Sequence, residues 1–223
     1  MGKAVAINGS PRMEKGNTAL LLKAFLQGIT KGGYEVENYY ISRMDIKPCN
    51  CGTMYCWRNP GKCCHQDDMQ GLYEALKSAE IMINATPVYS PLPGEMQNVI
   101  NRLCPLMEPD LVKRQGRTRA RFRDDVAIRK IVLVAVGGWW ELENLDRVVN
   151  ITEELAETCS CEFSGALLRP HAGAMRAAGT LTPGGEAVLL AAQQAGFELI
   201  TEGKMSPATL ENISRPLVSE EDW

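Results

Sequence analysis

Cysteine is concentrated in one short part of the chain. Five of the eight cysteines lie within sixteen residues, at Cys49, Cys51, Cys56, Cys63 and Cys64. Such a group, in a sequence that shows no secretory signal, indicates metal or redox chemistry before disulfide bonding. Four interpretations are open: an iron–sulfur cluster of the [4Fe–4S] type, a loop of thiols without metal, a structural zinc site that includes His65, and a regulatory disulfide.

A second chemically suggestive segment lies near the N-terminus. Residues 8–18 read NGSPRMEKGNT and join an apolar run to an expected helix. Amides at a helix N-terminus bind anions, and glycines let the backbone approach a ligand closely. Side-chain donors and one positive charge come from Ser10, Arg12, Asn17 and Thr18. Because neither the Walker pattern nor GxGxxG is present, the segment predicts a site for one phosphate monoester. The alternative is an ordinary turn with a helix cap.

Two further loops carry aromatic residues and glycines. Residues 86–94 read TPVYSPLPG, in which Val88 and Tyr89 would form an apolar and aromatic wall with free backbone amides. Residues 137–141 read GGWWE. Together the two loops predict a site for a flat aromatic ligand. The alternative is that Trp139 and Trp140 are core or interface residues.

The elements between these loops alternate between strand and helix. Strands are predicted at 3–8, 34–41, 80–86, 130–136 and 162–168, and helices at 17–32, 67–79, 94–106, 141–158 and 185–202, with a short helix and a tail after them. This alternation predicts an α/β three-layer sandwich, with a five-stranded parallel sheet in the order 2-1-3-4-5 and helices on both faces. Ligands bind at the carboxyl ends of such strands, so the loops after strands 1, 3 and 4 should meet.

Composition sets limits on the class of protein. The 223 residues are 45% hydrophobic and 23% charged with a net charge of −3, which is typical of a globular protein. We expect a single domain over 1–223, with a cysteine-rich loop at 47–66 and a charged excursion at 108–128. No apolar run is long enough for a membrane span, and the first apolar run ends too early for a signal peptide. A cytoplasmic protein without membrane contact is therefore expected.

These segments together resemble a known family. Gly9-Ser10-Pro11-Arg12 with Gly16-Asn17-Thr18, then Thr86-Pro87-Val88-Tyr89 and the Gly137-Gly138 loop, resemble the flavodoxin-like NAD(P)H-dependent FMN reductases. The cysteine segment from Pro48 to Cys63, the following Asp67-Asp68-Met69 and the run 167–171 resemble its iron–sulfur flavoprotein branch. The resemblance extends over about residues 3–200.

The resemblance implies FMN as a cofactor, and with it roles for individual residues. Ser10, Arg12, Asn17 and Thr18 would hold the phosphate, Pro87, Val88 and Tyr89 would contact the isoalloxazine edge, and Gly137, Gly138 and Trp139 would approach the pyrimidine end. The ligands of a [4Fe–4S] cluster would be Cys49, Cys51, Cys56 and Cys63, with Cys51 displaced from the compact C-x2-C-x2-C spacing of that branch. A homodimer or homotetramer is also implied.

The resulting prediction is an FMN-dependent NAD(P)H oxidoreductase. Electrons from NAD(P)H would pass through the flavin to a small-molecule acceptor or a ferredoxin-like carrier, and no side chain is required as a catalytic nucleophile. The alternatives are a non-enzymatic electron-transfer protein of the flavodoxin kind and a zinc-dependent regulator on the same fold. The basic stretch 113–130 is interpreted as a solvated excursion or subunit contact, or as an anion clamp for NADPH. Nucleic-acid binding is not expected from an acidic chain without a recognition motif.

Overall fold

The computed structural model describes residues 1–223, apart from the side chain of Cys51. Its centre is a sheet of five parallel strands: β1 (Lys3–Asn8), β2 (Glu35–Tyr40), β3 (Ile81–Pro87), β4 (Lys130–Val136) and β5 (Glu162–Arg169). The strands lie in the order β2-β1-β3-β4-β5. The predicted flavodoxin-like fold and the order of its sheet strands are confirmed.

Helices cover both faces of this sheet. They are α1 (Asn17–Lys31), α2 (Tyr55–Arg58), α3 (Met69–Ser78), α4 (Gly94–Asn101), α5 (Asp146–Cys159), α6 (Pro183–Thr201) and α7 (Pro207–Ser214). Leu21 and Phe25 of α1 pack with Val188 of α6 on one face, whereas Leu72 of α3 and Val99 of α4 pack on the other. Strands β1, β3 and β4 are buried on both sides, which explains their almost continuous apolar sequences. Within the described part of the chain, no helix is long and apolar enough to cross a membrane.

Four segments differ from the sequence expectation. The helix predicted over 141–158 begins at Asp146, after a 3-10 turn at Leu142–Leu145. The cysteine-rich loop contains the short helix α2, and the helix predicted over 94–106 ends at Asn101 and is followed by a 3-10 turn, Cys104–Leu106. Pro105 has no backbone N–H to continue an α-helical ladder, which accounts for the break. The charged excursion contains a β-hairpin of Val112–Arg114 and Arg117–Arg119. Its turn is built on two residues with positive φ, as two-residue hairpin turns require.

The arginines of this hairpin are held by helix α5. Arg119 lies 2.9 Å from a Glu157 carboxylate oxygen, and Arg117 lies 3.1 Å from Glu154. The backbone carbonyl of Glu157 also accepts a hydrogen bond from Arg114. These pairs favour a structural role for the basic stretch over a dinucleotide clamp, because three of its guanidinium groups are already engaged within the subunit.

We expect Gly28→Ala to lower the free energy of unfolding by about 1–3 kcal/mol. Gly28 lies where α1 crosses α6, and a Cβ there would collide with the backbone carbonyl oxygen of Gln193. Gly71→Ala is the matched control, because Gly71 is also helical and a Cβ there meets no atom of the described residues within 4 Å. That change should stabilise the protein by about 0.8 kcal/mol through helix propensity. Urea unfolding of both variants measures the difference, and equal effects would contradict the proposed close packing of the two helices.

Candidate functional site

Every residue predicted to bind the cofactor lines one cleft, at the carboxyl edge of the sheet. Its volume is about 380 Å³, within the range of small-molecule sites. The lining includes all ten: Ser10, Arg12, Asn17, Thr18, Pro87, Val88, Tyr89, Gly137, Gly138 and Trp139. The loops after β1, β3 and β4 therefore meet, as their positions after parallel strands predict.

One end of the cleft is formed by the start of helix α1. The helix begins after Gly16, which has no side chain to cap the first amides, and its first turn carries no acidic residue. The side chains of Ser10 and Thr18 are almost completely buried, at 3% and 1% exposure. The Ser10 hydroxyl oxygen accepts a hydrogen bond from the Arg12 backbone N–H at 3.3 Å. Uncapped amides and the helix dipole make this end attractive to an anion.

The charges around this end also suit an anion. The lining residues that the structure describes include Arg12 and no aspartate or glutamate. Asn17 uses one of its side-chain N–H groups to donate to the Ala172 carbonyl oxygen at 3.0 Å, which ties the first loop to the chain after β5. Its second side-chain N–H remains for another acceptor.

The other end of the cleft has aromatic walls. Tyr89 and Trp139 are 57% and 73% exposed and stand on the loops after β3 and β4. These two residues, with Val88, Gly137 and Gly138, also line an adjoining pocket of about 390 Å³. Asn144 and Arg147 complete that second pocket, so the cleft continues past the aromatic residues towards a positive charge.

The expectation of free amides in the loop after β3 is wrong at two positions. The Val88 N–H donates to the Val136 carbonyl oxygen, and the Tyr89 N–H donates to that of Pro91, both at 2.9 Å. The chain turns sharply after Pro87, so these amides close the loop on itself and on β4. Val88 and Tyr89 can therefore offer side chains and carbonyl oxygens to a ligand, but not these two N–H groups.

The chain after β5 also contributes to the cleft, through residues that were not among those predicted for the cofactor. Ala172, Gly173 and Trp223 join the lining. The Ala172 N–H donates to the Gly137 carbonyl oxygen at 3.0 Å, and the His171 N–H donates to that of Trp139 at 2.7 Å. The run from Arg169 to His171, at the end of the last predicted strand, already indicates that this loop can face the ligand, because in this fold every loop after a strand can do so.

His171 itself is a packing residue. Its ring is 1% exposed, stacks on Trp140 at 5.9 Å and accepts a hydrogen bond at Nε2 from the Leu217 N–H at 3.2 Å. The Arg169 guanidinium lies 2.8 Å from the same nitrogen. Burial and the charge of Arg169 lower the pKa of His171, which favours its neutral form. This arrangement supports a packing role over proton delivery.

The cysteine segment forms a separate, narrow pocket of about 20 Å³. Its sulfur-bearing lining residues are Cys49, Cys56, Cys63, Cys64 and Cys104. The side chain of Cys51 lies outside the described residues. The Sγ atoms of Cys56 and Cys104 are 3.2 Å apart, well beyond a disulfide bond of about 2.05 Å. Among the described side chains, no three metal-ligating groups are arranged around one ion position.

A buried ion pair supports this pocket. Arg102 lines it and binds Asp67 through two hydrogen bonds, of 2.8 and 3.0 Å, with both side chains at most 1% exposed. Burial alone would raise the pKa of Asp67, but hydrogen bonds from Arg102 and the Lys47 amide lower it to about 2. Sequence analysis interpreted the Asp67-Asp68 pair as the start of α3. The structure begins that helix at Met69, and Asp67 both accepts a hydrogen bond from the Met69 amide and binds Arg102.

Two nitrogens on the wall of the cysteine pocket stand out. Within the described part of the chain, Nε of Arg102 and Nε2 of His65 are buried without a hydrogen-bond partner. Both residues line the pocket. Buried polar groups nearly always make hydrogen bonds. Two unpartnered nitrogens beside several thiols are therefore suited to donate hydrogen bonds to a bound group rich in sulfur.

Comparison with known proteins identifies the family. The family model described as NADPH-dependent FMN reductase matches residues 3–141, more than half of the chain. The chain belongs to the NADPH-dependent FMN reductase family. The match includes the loops after β1, β3 and β4, from Ser10 to Trp139, and the whole cysteine-rich segment, but not the loop after β5. The family predicted from the sequence is confirmed.

Curated relatives in this family carry iron–sulfur names. An iron–sulfur flavoprotein of Methanocaldococcus jannaschii is 33% identical over 105 residues, which cover 47% of this chain and 53% of the relative. An iron–sulfur flavoprotein of Methanosarcina thermophila is 31% identical over 102 residues, 45% of this chain and 51% of the relative. The matched part thus spans about half the length of these relatives.

Solved structures of reductases share the fold. An NAD(P)H:quinone oxidoreductase from Methanothermobacter marburgensis superposes with a TM-score of 0.62 at 14% identity, covering 89% of this chain and 98% of that one. An FMN-dependent NADH-azoreductase from Bacillus anthracis in complex with FMN gives a TM-score of 0.56 at 14% identity, with coverages of 91% and 99%. At 14% sequence identity, these similarities show only that the fold is shared.

Proposed function

We propose that this protein is an FMN-dependent NAD(P)H oxidoreductase. The observation that carries the proposal is the single cleft in which an uncapped helix N-terminus at one end meets aromatic and glycine walls at the other. The two ends match the two halves of FMN, a dianionic phosphate and a flat tricyclic ring. Membership of the FMN reductase family points to the same cofactor.

The first loop would hold the phosphate. The first amides of α1 and the hydroxyls of Ser10 and Thr18 would donate hydrogen bonds to it. Arg12 would supply positive charge, and the second side-chain N–H of Asn17 would be a further donor. Gly16 is needed for this arrangement, because a Cβ there would lie 2.9 Å from the Ser10 hydroxyl oxygen. Hydrogen bonds to an ionised group are stronger than those between neutral groups, so this end would supply much of the affinity.

The other walls would orient the ring. Pro87, Val88 and Tyr89 would contact its edge, and Gly137 and Gly138 would let it approach the backbone near Trp139. Bound FMN supplies the chemistry, because it accepts a hydride and can release the electrons singly. The chain's own task is to fix the ring, to exclude water from one face and to leave the other face open.

The adjoining pocket would receive the nicotinamide substrate. It shares the walls at Tyr89 and Trp139 with the cleft proposed for the flavin, so these residues would hold a planar ring beside that cofactor. Arg147 gives this pocket a positive charge for a dinucleotide phosphate. Small electron acceptors can use the same opening after the nicotinamide leaves.

The cysteine segment would hold a [4Fe–4S] cluster. Support comes from the thiols gathered around one pocket, from the orphaned nitrogens of Arg102 and His65, and from the names of the curated relatives. A cluster takes one thiolate at each iron, so its ligands need not surround a single ion position. It would pass single electrons to a ferredoxin-like carrier. The physiological acceptor and a homodimeric or homotetrameric state stay predictions.

Anaerobic rapid mixing of the FMN-loaded protein with NADPH or NADH tests the proposed activity. The flavin absorption should bleach at a rate that saturates with nucleotide concentration. Arg147→Gln should weaken the nucleotide about tenfold, the effect of one lost charge-assisted hydrogen bond, and leave FMN affinity unchanged. Flavin that stays oxidised with both nucleotides but is reduced by dithionite would favour the electron-transfer protein instead.

A further inference from the structure

We propose that Cys104 is a ligand of the iron–sulfur cluster, together with Cys49, Cys56 and Cys63. The inference rests on the cluster proposed above and changes its ligand set. Cys104 lies well outside the cysteine segment, in the turn after α4, and sequence spacing alone gave no reason to include it.

The first argument is proximity. The Cys104 Sγ lies 3.2 Å from the Cys56 Sγ, and both sulfurs line the same pocket as Cys49 and Cys63. Cys56 is carried by the short helix α2, so two elements distant in sequence bring their thiols together at this point. Five described thiols line this pocket, and Cys64 is the exposed one among them. The other four equal the donor number of a [4Fe–4S] cluster.

The second argument is the charge beside the thiols. Arg102, two residues before Cys104, is 1% exposed and lines the pocket. Its Nε makes no hydrogen bond to any of the described residues. A cluster with four thiolates carries net negative charge, and hydrogen bonds to its sulfurs tune its potential. A buried guanidinium with an unused N–H suits such a group, whereas neutral thiols would leave that donor unsatisfied.

The third argument is the anchoring of the ligands. The neighbours of Cys104 in the turn, Leu103 and Leu106, are each 1% exposed in the core, so the turn fixes the position of its thiol. The three other thiols belong to short segments outside the sheet. The pocket of about 20 Å³ must widen to admit a cluster, and moving these segments breaks no strand pairing. Cys104 would be the ligand with a fixed position, and the segments that carry the other three thiols would move towards it when the cluster binds.

Iron content and electron paramagnetic resonance test the assignment on the full chain, purified and reconstituted with iron and sulfide without oxygen. Cys104→Ser should lose at least one of about four irons per chain and change the spectrum of the reduced protein. Cys51→Ser should keep the wild-type iron content and spectrum, because the four thiols named here suffice. Cys161→Ser is the matched control, since its thiol contacts the Ile128 carbonyl oxygen elsewhere in the fold.

The outcomes separate the two proposals. Full iron content and an unchanged spectrum in Cys104→Ser would overturn the Cys104 assignment but not the proposed cluster. The same conclusion would follow if Cys51→Ser lost iron and Cys104→Ser did not. Wild-type protein that binds zinc or no metal would overturn the cluster and the assignment with it. The FMN content of Cys104→Ser, and its urea midpoint without metal, should match those of the metal-free wild type, and a variant that fails this check is replaced by Cys104→Ala for the same measurements.

Discussion

Thr18→Val is expected to weaken FMN binding by about 10- to 100-fold. Valine has nearly the shape of threonine but no hydroxyl, so the change removes one donor from the phosphate end of the cleft. A hydrogen bond to a charged group contributes about 1.5–3 kcal/mol, and 1.4 kcal/mol corresponds to a factor of ten. Thr18 is 1% exposed, so water cannot readily replace the lost hydroxyl.

Quenching of flavin fluorescence in a titration of apoprotein measures this change. Thr30→Val is the matched control, because Thr30 lies in the last turn of the same helix and its side chain is exposed. The control should bind FMN like the wild type. An unchanged affinity in Thr18→Val would contradict the placement of the phosphate at the start of α1.

Asp67→Asn is expected to lower the free energy of unfolding by about 3–5 kcal/mol. The change leaves the guanidinium of Arg102 buried without its carboxylate, and that charge cannot reach water at 1% exposure. Asp67 also accepts hydrogen bonds from the amides of Lys47 and Met69, which joins the cysteine segment to α3. Denaturant unfolding measures the loss. Asp68→Asn is the control, because Asp68 is exposed and its carboxylate accepts a hydrogen bond from the Asp45 amide rather than pairing with a buried charge.

The same pair predicts a dependence of stability on pH. The pKa of Asp67 is about 2 in the folded protein, below its ordinary value of 3.8. The unfolded chain therefore binds a proton first as the pH falls, so the stabilisation is complete above the ordinary pKa and is lost between that value and about 2. The free energy of unfolding of Asp67→Asn should not show this part of the decrease at acid pH. An identical slope in the variant and the wild type would contradict the assignment.

The sheet and the main cleft could be predicted because their signals are local. Strands such as β4, with the sequence KIVLVAV, are buried on both faces and read as apolar runs. The loops after parallel strands must meet at one edge, so Ser10, Tyr89 and Gly137 could be assigned to one site before any contact was known.

The remaining features depend on contacts between residues far apart in sequence. No local pattern places Cys104 beside Cys56 or Trp223 against Gly173, because each pair meets only when the helices have packed. The hairpin at Val112–Arg114 and Arg117–Arg119 was not predicted, because its contacts also join residues that are far apart in sequence. Its arginines are explained by the glutamates of α5, which follow much later in the chain.

The comparison of FMN with riboflavin tests the central claim most directly. Both carry the same ring, and only FMN carries the phosphate that the start of α1 would bind. Calorimetric titration of the apoprotein should give one FMN per chain and an affinity for riboflavin at least about 100-fold weaker, as expected for the loss of several charge-assisted hydrogen bonds. Equal affinities for the two compounds, or no uptake of FMN at micromolar concentration, would contradict the account.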